Sequence, residues 1–222
     1  MRAIHLVFLA AMAASPVLAQ QPSPVVERAA VEAKAILARE DLIRELGAMG
    51  AIDYAARTTF LRARKDASPA DREALDKVWA DHYKAIDHRN TQRLKVLLAD
   101  RGWFTDDEVG SRAASAAFSV VSHADDLAFQ KDVLAKMEPL VAAGKAPNGY
   151  ANLYDRVALQ EKRSQRYGTE GTGCAGGKHA VPSDLEAPAG VDQRRATLGL
   201  EPMSAYLASL DKMYGRCDGP AT

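Results

Sequence analysis

The chain has 222 residues in which Lys+Arg and Asp+Glu both number 29, so its formal net charge is zero. It lacks the basic surplus that neutralises phosphates, and at 6% aromatic residues it has few rings for stacking bases, so no nucleic-acid partner is expected. About 203 residues remain behind a removable leader, enough for one domain with a real core.

The first twenty residues, MRAIHLVFLAAMAASPVLAQ, place an Arg before an apolar centre and end in Val17-Leu18-Ala19. That order predicts a signal peptide over 1–19, cleaved after Ala19, and a periplasmic or secreted product. No later apolar run approaches the roughly 20 residues of a membrane span. Export brings the two cysteines, Cys174 and Cys217, into an oxidising compartment, where a structural disulfide is the expectation. The rival is a nucleophilic or metal-binding cysteine, but the chain has no CxxC.

An N-terminal helical segment covers 20–66. Ala29, Ala33, Ile36, Ile43 and Leu46 recur at helical spacing, which predicts a helix from Pro24 to Leu46. Gly47 and Gly50 weaken it, and a second helical stretch resumes to Lys65 after a bend. The helical domain proper is placed at 67–215. Ser68-Pro69 opens a long helix to about Asp100, with Ser as N-cap and Pro at the first position. Thr105 and Glu108 form a capping box before a small-residue helix. Further helices are expected over 126–143 and 148–162. A Gly-rich loop over 168–190 contains a small hairpin, and short helices follow near 191–198 and 202–213. The expected fold is mainly α: a single-domain multi-helix bundle with a Gly-rich loop or small β-hairpin near the C-terminus.

Certain residues break their local pattern. His82 and Asn90 fall on the apolar stripe of the third helix, where an amide needs a partner or a cavity; His88 falls on the solvated face. In SVVSHADDLAFQ, Ser119, His123, Asp126 and Gln130 share a stripe if the helix continues, whereas Ser122 or Asp125 is the N-cap if it breaks. Either way a carboxylate lies beside His123, an arrangement that fits a general base and equally a helix-joining hydrogen bond. Asp155-Arg156 and Gln165-Arg166-Tyr167-Gly168-Thr169 put a guanidinium, an amide, a phenol and a hydroxyl close together. Such a set can surround a small polar ligand or form a turn network in which Asp155 pairs with an Arg. Arg194-Arg195 is read as a solvated pair. The sequence has no HExxH, P-loop, GxSxG, GxGxxG or EF-hand loop, and its histidines lack zinc-site spacing, so no metal and no cofactor are expected.

From Trp79 to Leu207 the chain resembles a bacterial family of domains of unknown function. The resemblance rests on Asn90-Thr91, Gly102-Trp103, Val109-Gly110, His123-Ala124-Asp125, Phe129-Gln130, Asp155-Arg156-Val157 and Gln165-Arg166-Tyr167-Gly168-Thr169. Phe104, Ser122 and Glu170 depart from that pattern, where the family carries Pro, Gln and Gln. The family brings no activity with it, so the resemblance implies a shared site.

These readings give a polar pocket that binds a small ligand through Asn90, Gln130, Asp155, Arg156, Gln165 and Thr169. The alternative is a metal-independent hydrolase or transferase in which His123, Asp126 and Tyr167 carry the chemistry. A third reading is an envelope structural or protein-interaction protein. The partner is accordingly a small polar ligand or an envelope protein.

Overall fold

The computed structural model describes residues 23–217; the expected leader lies outside them. The chain divides into a unit ending at Ala38 and a unit from Arg39 onward. From Pro24 on, the described residues of the first belong to one helix and are all exposed, Val25, Val26, Val31, Ile36 and Leu37 among them.

That helix, α1, runs unbroken over Pro24–Lys65, so the expected bend at Gly47 and Gly50 does not form. Ser68 caps α2 (Pro69–Val78) by accepting from the Asp71 N–H at 3.2 Å, with Pro69 at the first turn, as the sequence predicts. The long helix expected to follow forms as far as Leu97, with one change of helical pitch inside it. A π-helical turn at Trp79–Tyr83 joins α2 to α3 (Lys84–Leu97), and a π insertion of this kind re-aims the residues around it. His82, expected in the core, is exposed on that turn.

The capping box does not form either. α4 is a single turn, Asp106–Val109, and the Thr105 side chain makes no cap bond, while the Glu108 carboxylate pairs with Arg101. Gly110, at φ 78°, separates it from α5 (Ser111–His123). α6 (Leu127–Ala142), α7 (Tyr150–Gln160), α8 (Val191–Thr197) and α9 (Met203–Tyr214) complete the helices. Between α7 and α8 a two-stranded antiparallel hairpin pairs β1 (Gly173–Ala175) with β2 (Lys178–Ala180). The fold is therefore mainly α with a small hairpin near the C-terminus. No helix among the described residues is long and apolar enough to cross a membrane.

The core centres on α5. Ala113, Ala114, Ala117, Val120 and Val121 are buried and pack with Leu46 and Met49 of α1, Leu94 of α3, and Phe129, Val133 and Met137 of α6. Small side chains on α5 let neighbouring helices approach closely. On α1 the close point is Gly50, where an added Cβ would stand 2.5 Å from the Ala116 Cβ, far inside van der Waals contact. Gly50 is thus a packing residue, and the α1–α5 crossing that it permits fixes which α1 side chains reach the end of α5.

Cys174 on β1 and Cys217 are joined in a disulfide, which ties the hairpin to the end of the chain. His179 on β2 reinforces the tie, with Nδ1 2.7 Å from Asp211 of α9. The bridge spans 43 residues. In the loop-entropy account this predicts that Cys174→Ser with Cys217→Ser lowers stability by about 3 to 4 kcal/mol, measured by urea unfolding; a loss below 1 kcal/mol would show that the hairpin is held without it.

Candidate functional site

Two polar assemblies meet at the junction between α5 and α6. At Ala124 the backbone turns extended, φ −66° and ψ 127°, so the last carbonyls of α5 lose their helical partners and must find others. Gln130 supplies two bonds from one amide: its Nε2 donates to the Val121 and Ala124 carbonyls, each at 3.1 Å. Its Oε1 in turn accepts from Gln160 Nε2 at 2.7 Å. Arg156 donates to the Ser122 carbonyl and, at 2.6 Å, to the Ser122 hydroxyl, placing a cation at the negative end of the helix dipole. Its other nitrogen donates to Glu170 at 3.0 Å. Ser122 and Glu170, two of the positions that depart from the family-like pattern, therefore meet at one guanidinium. Gln130 and Arg156 hold the peptide that carries His123.

Asp126 does not orient His123. It is the N-cap of α6, accepting from the Phe129 N–H at 2.9 Å, in place of Ser122 or Asp125, and it takes a bond from Lys95 Nζ at 2.6 Å. Those two partners hold its carboxyl below the ordinary range. The carboxylate on His123 comes instead from α1. His123 Nδ1 lies 2.9 Å from Asp53 Oδ1 and 2.8 Å from Arg57 Nε. Arg57 Nε is itself 3.3 Å from Asp53 Oδ1, and Arg57 Nη2 donates to Asp87 of α3 at 2.9 Å. Asp53 and Arg57 stand at i and i+4, one face of the helix just past Gly50. Sequence reading missed both, because the nearest chain neighbours of His123 offered carboxylates of their own. The available signal was an Asp at a core-facing position of α1, four residues before an Arg.

Beside this group opens a cleft of about 710 Å³, lined by residues that include Arg57, Trp79, Lys84, Thr91, His123 and Asp126. The Trp79 ring carries Arg57 at 5.0 Å and stacks on Tyr83 at 5.1 Å, so the π turn contributes one wall. Thr91 is only 4% exposed, and its hydroxyl has no hydrogen-bond partner among the described residues; the same holds for Nδ2 of its neighbour Asn90. Buried polar atoms are nearly always satisfied, and Thr91 lines the cleft. The lining cations face carboxylates, Arg57 with Asp53 and Asp87 and Lys84 with Asp125 at 3.8 Å, and the lining Asp126 is paired with Lys95. Among the described residues no group of three or more His, Cys, Asp or Glu side chains is placed to hold a metal ion.

The second assembly holds the other expected site residues, and it is closed. Asp155, fully buried, accepts through Oδ1 from the N–H groups of Arg166 at 2.7 Å and Tyr167 at 3.0 Å. Through Oδ2 it accepts from the Thr169 N–H at 2.9 Å and the Thr169 hydroxyl at 2.8 Å. Its partners are thus backbone groups and a hydroxyl, and no arginine. The carbonyls of the same loop are taken from the other side. Arg195 donates to the Tyr167 carbonyl at 2.8 Å and Arg194 to that of Arg166, also at 2.8 Å. The expected solvated pair is therefore half wrong: Arg195 is 2% exposed and lies 4.7 Å over the Tyr206 ring. Gln165 joins the loop to Asp184 and receives the Glu170 N–H. Tyr167 sits buried among Tyr150 and Tyr154, and burial pushes its phenol up.

The structure thus separates the expected residues. His123 and Asp126 border the open cleft, with Asn90 beside Thr91 in its wall. Gln130 and Arg156 hold the His123 peptide from behind, and Asp155, Gln165, Tyr167 and Thr169 form a packed turn. Asp155→Asn turns one accepting oxygen into a donor that faces N–H groups. It is predicted to cost roughly 3 to 5 kcal/mol, two charged hydrogen bonds' worth, in urea unfolding; a change under 1 kcal/mol would mean that the loop is fixed by other contacts.

The profile of a family described as "Family of unknown function (DUF6624)" matches residues 40–217. No curated protein and no solved structure matches the chain.

Proposed function

We propose, for a chain that belongs to the DUF6624 family of unknown function, that it is an exported protein whose His123 cleft binds a small uncharged polar ligand. The observation that carries this reading is the cleft itself, about 710 Å³ and lined by Trp79 and His123, with both of its lining cations, Arg57 and Lys84, facing carboxylates.

Electrostatics supports the uncharged class. Arg57 and Lys95 pair with Asp53, Asp87 and Asp126, and Lys84 faces Asp125 at 3.8 Å, so the carboxylates outnumber the cations, a balance that disfavours a phosphate or carboxylate ligand. Export is supported by the leader-like first nineteen residues and by the Cys174–Cys217 disulfide, a bond that persists in oxidising compartments.

The reading is tested by NMR titration with uncharged amides and polyols against inorganic phosphate. Uncharged probes are expected to shift the Trp79 and His123 signals, and Trp79→Ala to weaken their binding by about tenfold, the equivalent of 1.4 kcal/mol. Tighter binding of phosphate, or no perturbation of the cleft by any probe, would overturn it.

A further inference from the structure

We propose that two copies of the chain pair through the first part of α1, residues 24–38, as antiparallel helices. The inference is independent of the cleft. On a helix that turns about 100° per residue, Val25, Val26, Ala29, Ala33, Ile36 and Leu37 fall within an arc of about 140°. No charged residue of the stretch lies inside that arc. An apolar stripe of this width normally faces a core, yet Val25 is 73% exposed, Ile36 67% and Leu37 60%, and no described residue of the chain covers it. A contiguous apolar face left in water marks an interaction surface. The stretch also lies ahead of the family match, which begins at residue 40.

The charges that border the stripe say what covers it. Arg28 and Glu32 lie along one border, Glu27 and Lys34 along the other. A two-fold axis beside residues 30 and 31 sets each border against the same border of a second copy, running in the opposite direction. Residues equally far from the axis on its two sides then stand level. Glu32 meets the partner's Arg28 and Lys34 meets the partner's Glu27, and symmetry repeats both pairs. At the same spacing Val25 packs against the partner's Ile36 and Val26 against the partner's Leu37, so large side chains close the two ends of the seam around Ala29 and Ala33. Antiparallel helices also oppose their dipoles. A parallel pair aligns them and sets Glu40, seven residues past Ala33 on the same stripe, against its own copy, a like-charge contact. The paired stretch is about 22 Å long, short beside a standard interface, so the dimer is weak and reversible.

Sedimentation equilibrium of the mature chain, from Gln20 on, tests this. Wild type is expected to show a monomer–dimer equilibrium with a Kd of about 10 to 100 μM. Leu37→Glu should leave only monomer at concentrations where wild type is mostly dimer. Arg28→Glu, which sets a carboxylate against the partner's Glu32, should raise the Kd about tenfold. Arg28→Glu combined with Glu32→Arg should return it to within about threefold of wild type, because the reversed pairs are again of opposite sign; in parallel helices the double reversal would bring like charges together across the seam. Each substituted residue is exposed, so every variant is expected to keep the wild-type far-UV spectrum and its urea midpoint below the Kd. A wild-type chain that stays monomeric, a dimer that Leu37→Glu leaves intact, or a double variant no tighter than Arg28→Glu overturns the proposal.

Discussion

The close crossing of α1 and α5 at Gly50 and Ala116 is the constraint on which the site depends. A Cβ at residue 50 would fall 2.5 Å from the Ala116 Cβ, so any other residue there must push the helices apart. The turn after Gly50 carries Asp53 and Arg57, and both reach His123 only because the helices touch. A glycine that weakens helix formation by roughly 1 kcal/mol is thus kept for distance. Packing outweighs propensity here, and α1 continues straight through the point where propensity alone calls for a bend.

What α1 supplies from one side, the α5–α6 junction supplies from the other. His123 ends its helix, and the carbonyls stranded by that ending are taken up by Gln130 and Arg156. Arg156 is then steadied by Glu170, whose own N–H rests on Gln165. That loop is fixed by Asp155 beneath its N–H groups and by Arg195 on a carbonyl. A continuous set of hydrogen bonds therefore runs from the closed turn to the peptide of His123. The two polar assemblies differ: one is a closed turn, and the other sets His123 at the edge of a cleft.

Much of this was legible in the sequence. The Ser68-Pro69 start, the helix opening at Asp126, the hairpin and the mainly α fold follow from caps, periodicity and glycine content, which act over a few residues. Of the polar residues picked out, Gln130, Asp155, Arg156 and Gln165 are built into hydrogen-bond networks, while Asp53 and Arg57 went unnoticed. Their grouping was not legible, because it is set by contacts between elements far apart in the chain. Asp126 sits three residues from His123 yet serves α6 and Lys95, while Asp53, seventy residues away, takes the imidazole. Asp155 and Tyr167 looked like ligand groups because buried networks and binding sites draw on the same residue types; only saturation of every donor and acceptor separates the two.

The central claim is that the α1–α5 crossing at Gly50 delivers Asp53 and Arg57 to the imidazole of His123. NMR of the His123 ring nitrogens in the wild type and in Gly50→Val reads this directly. The account predicts that the substitution, which pushes α1 away from α5, shifts the Nδ1 resonance while the protein stays folded. An Nδ1 resonance unchanged by Gly50→Val would contradict it.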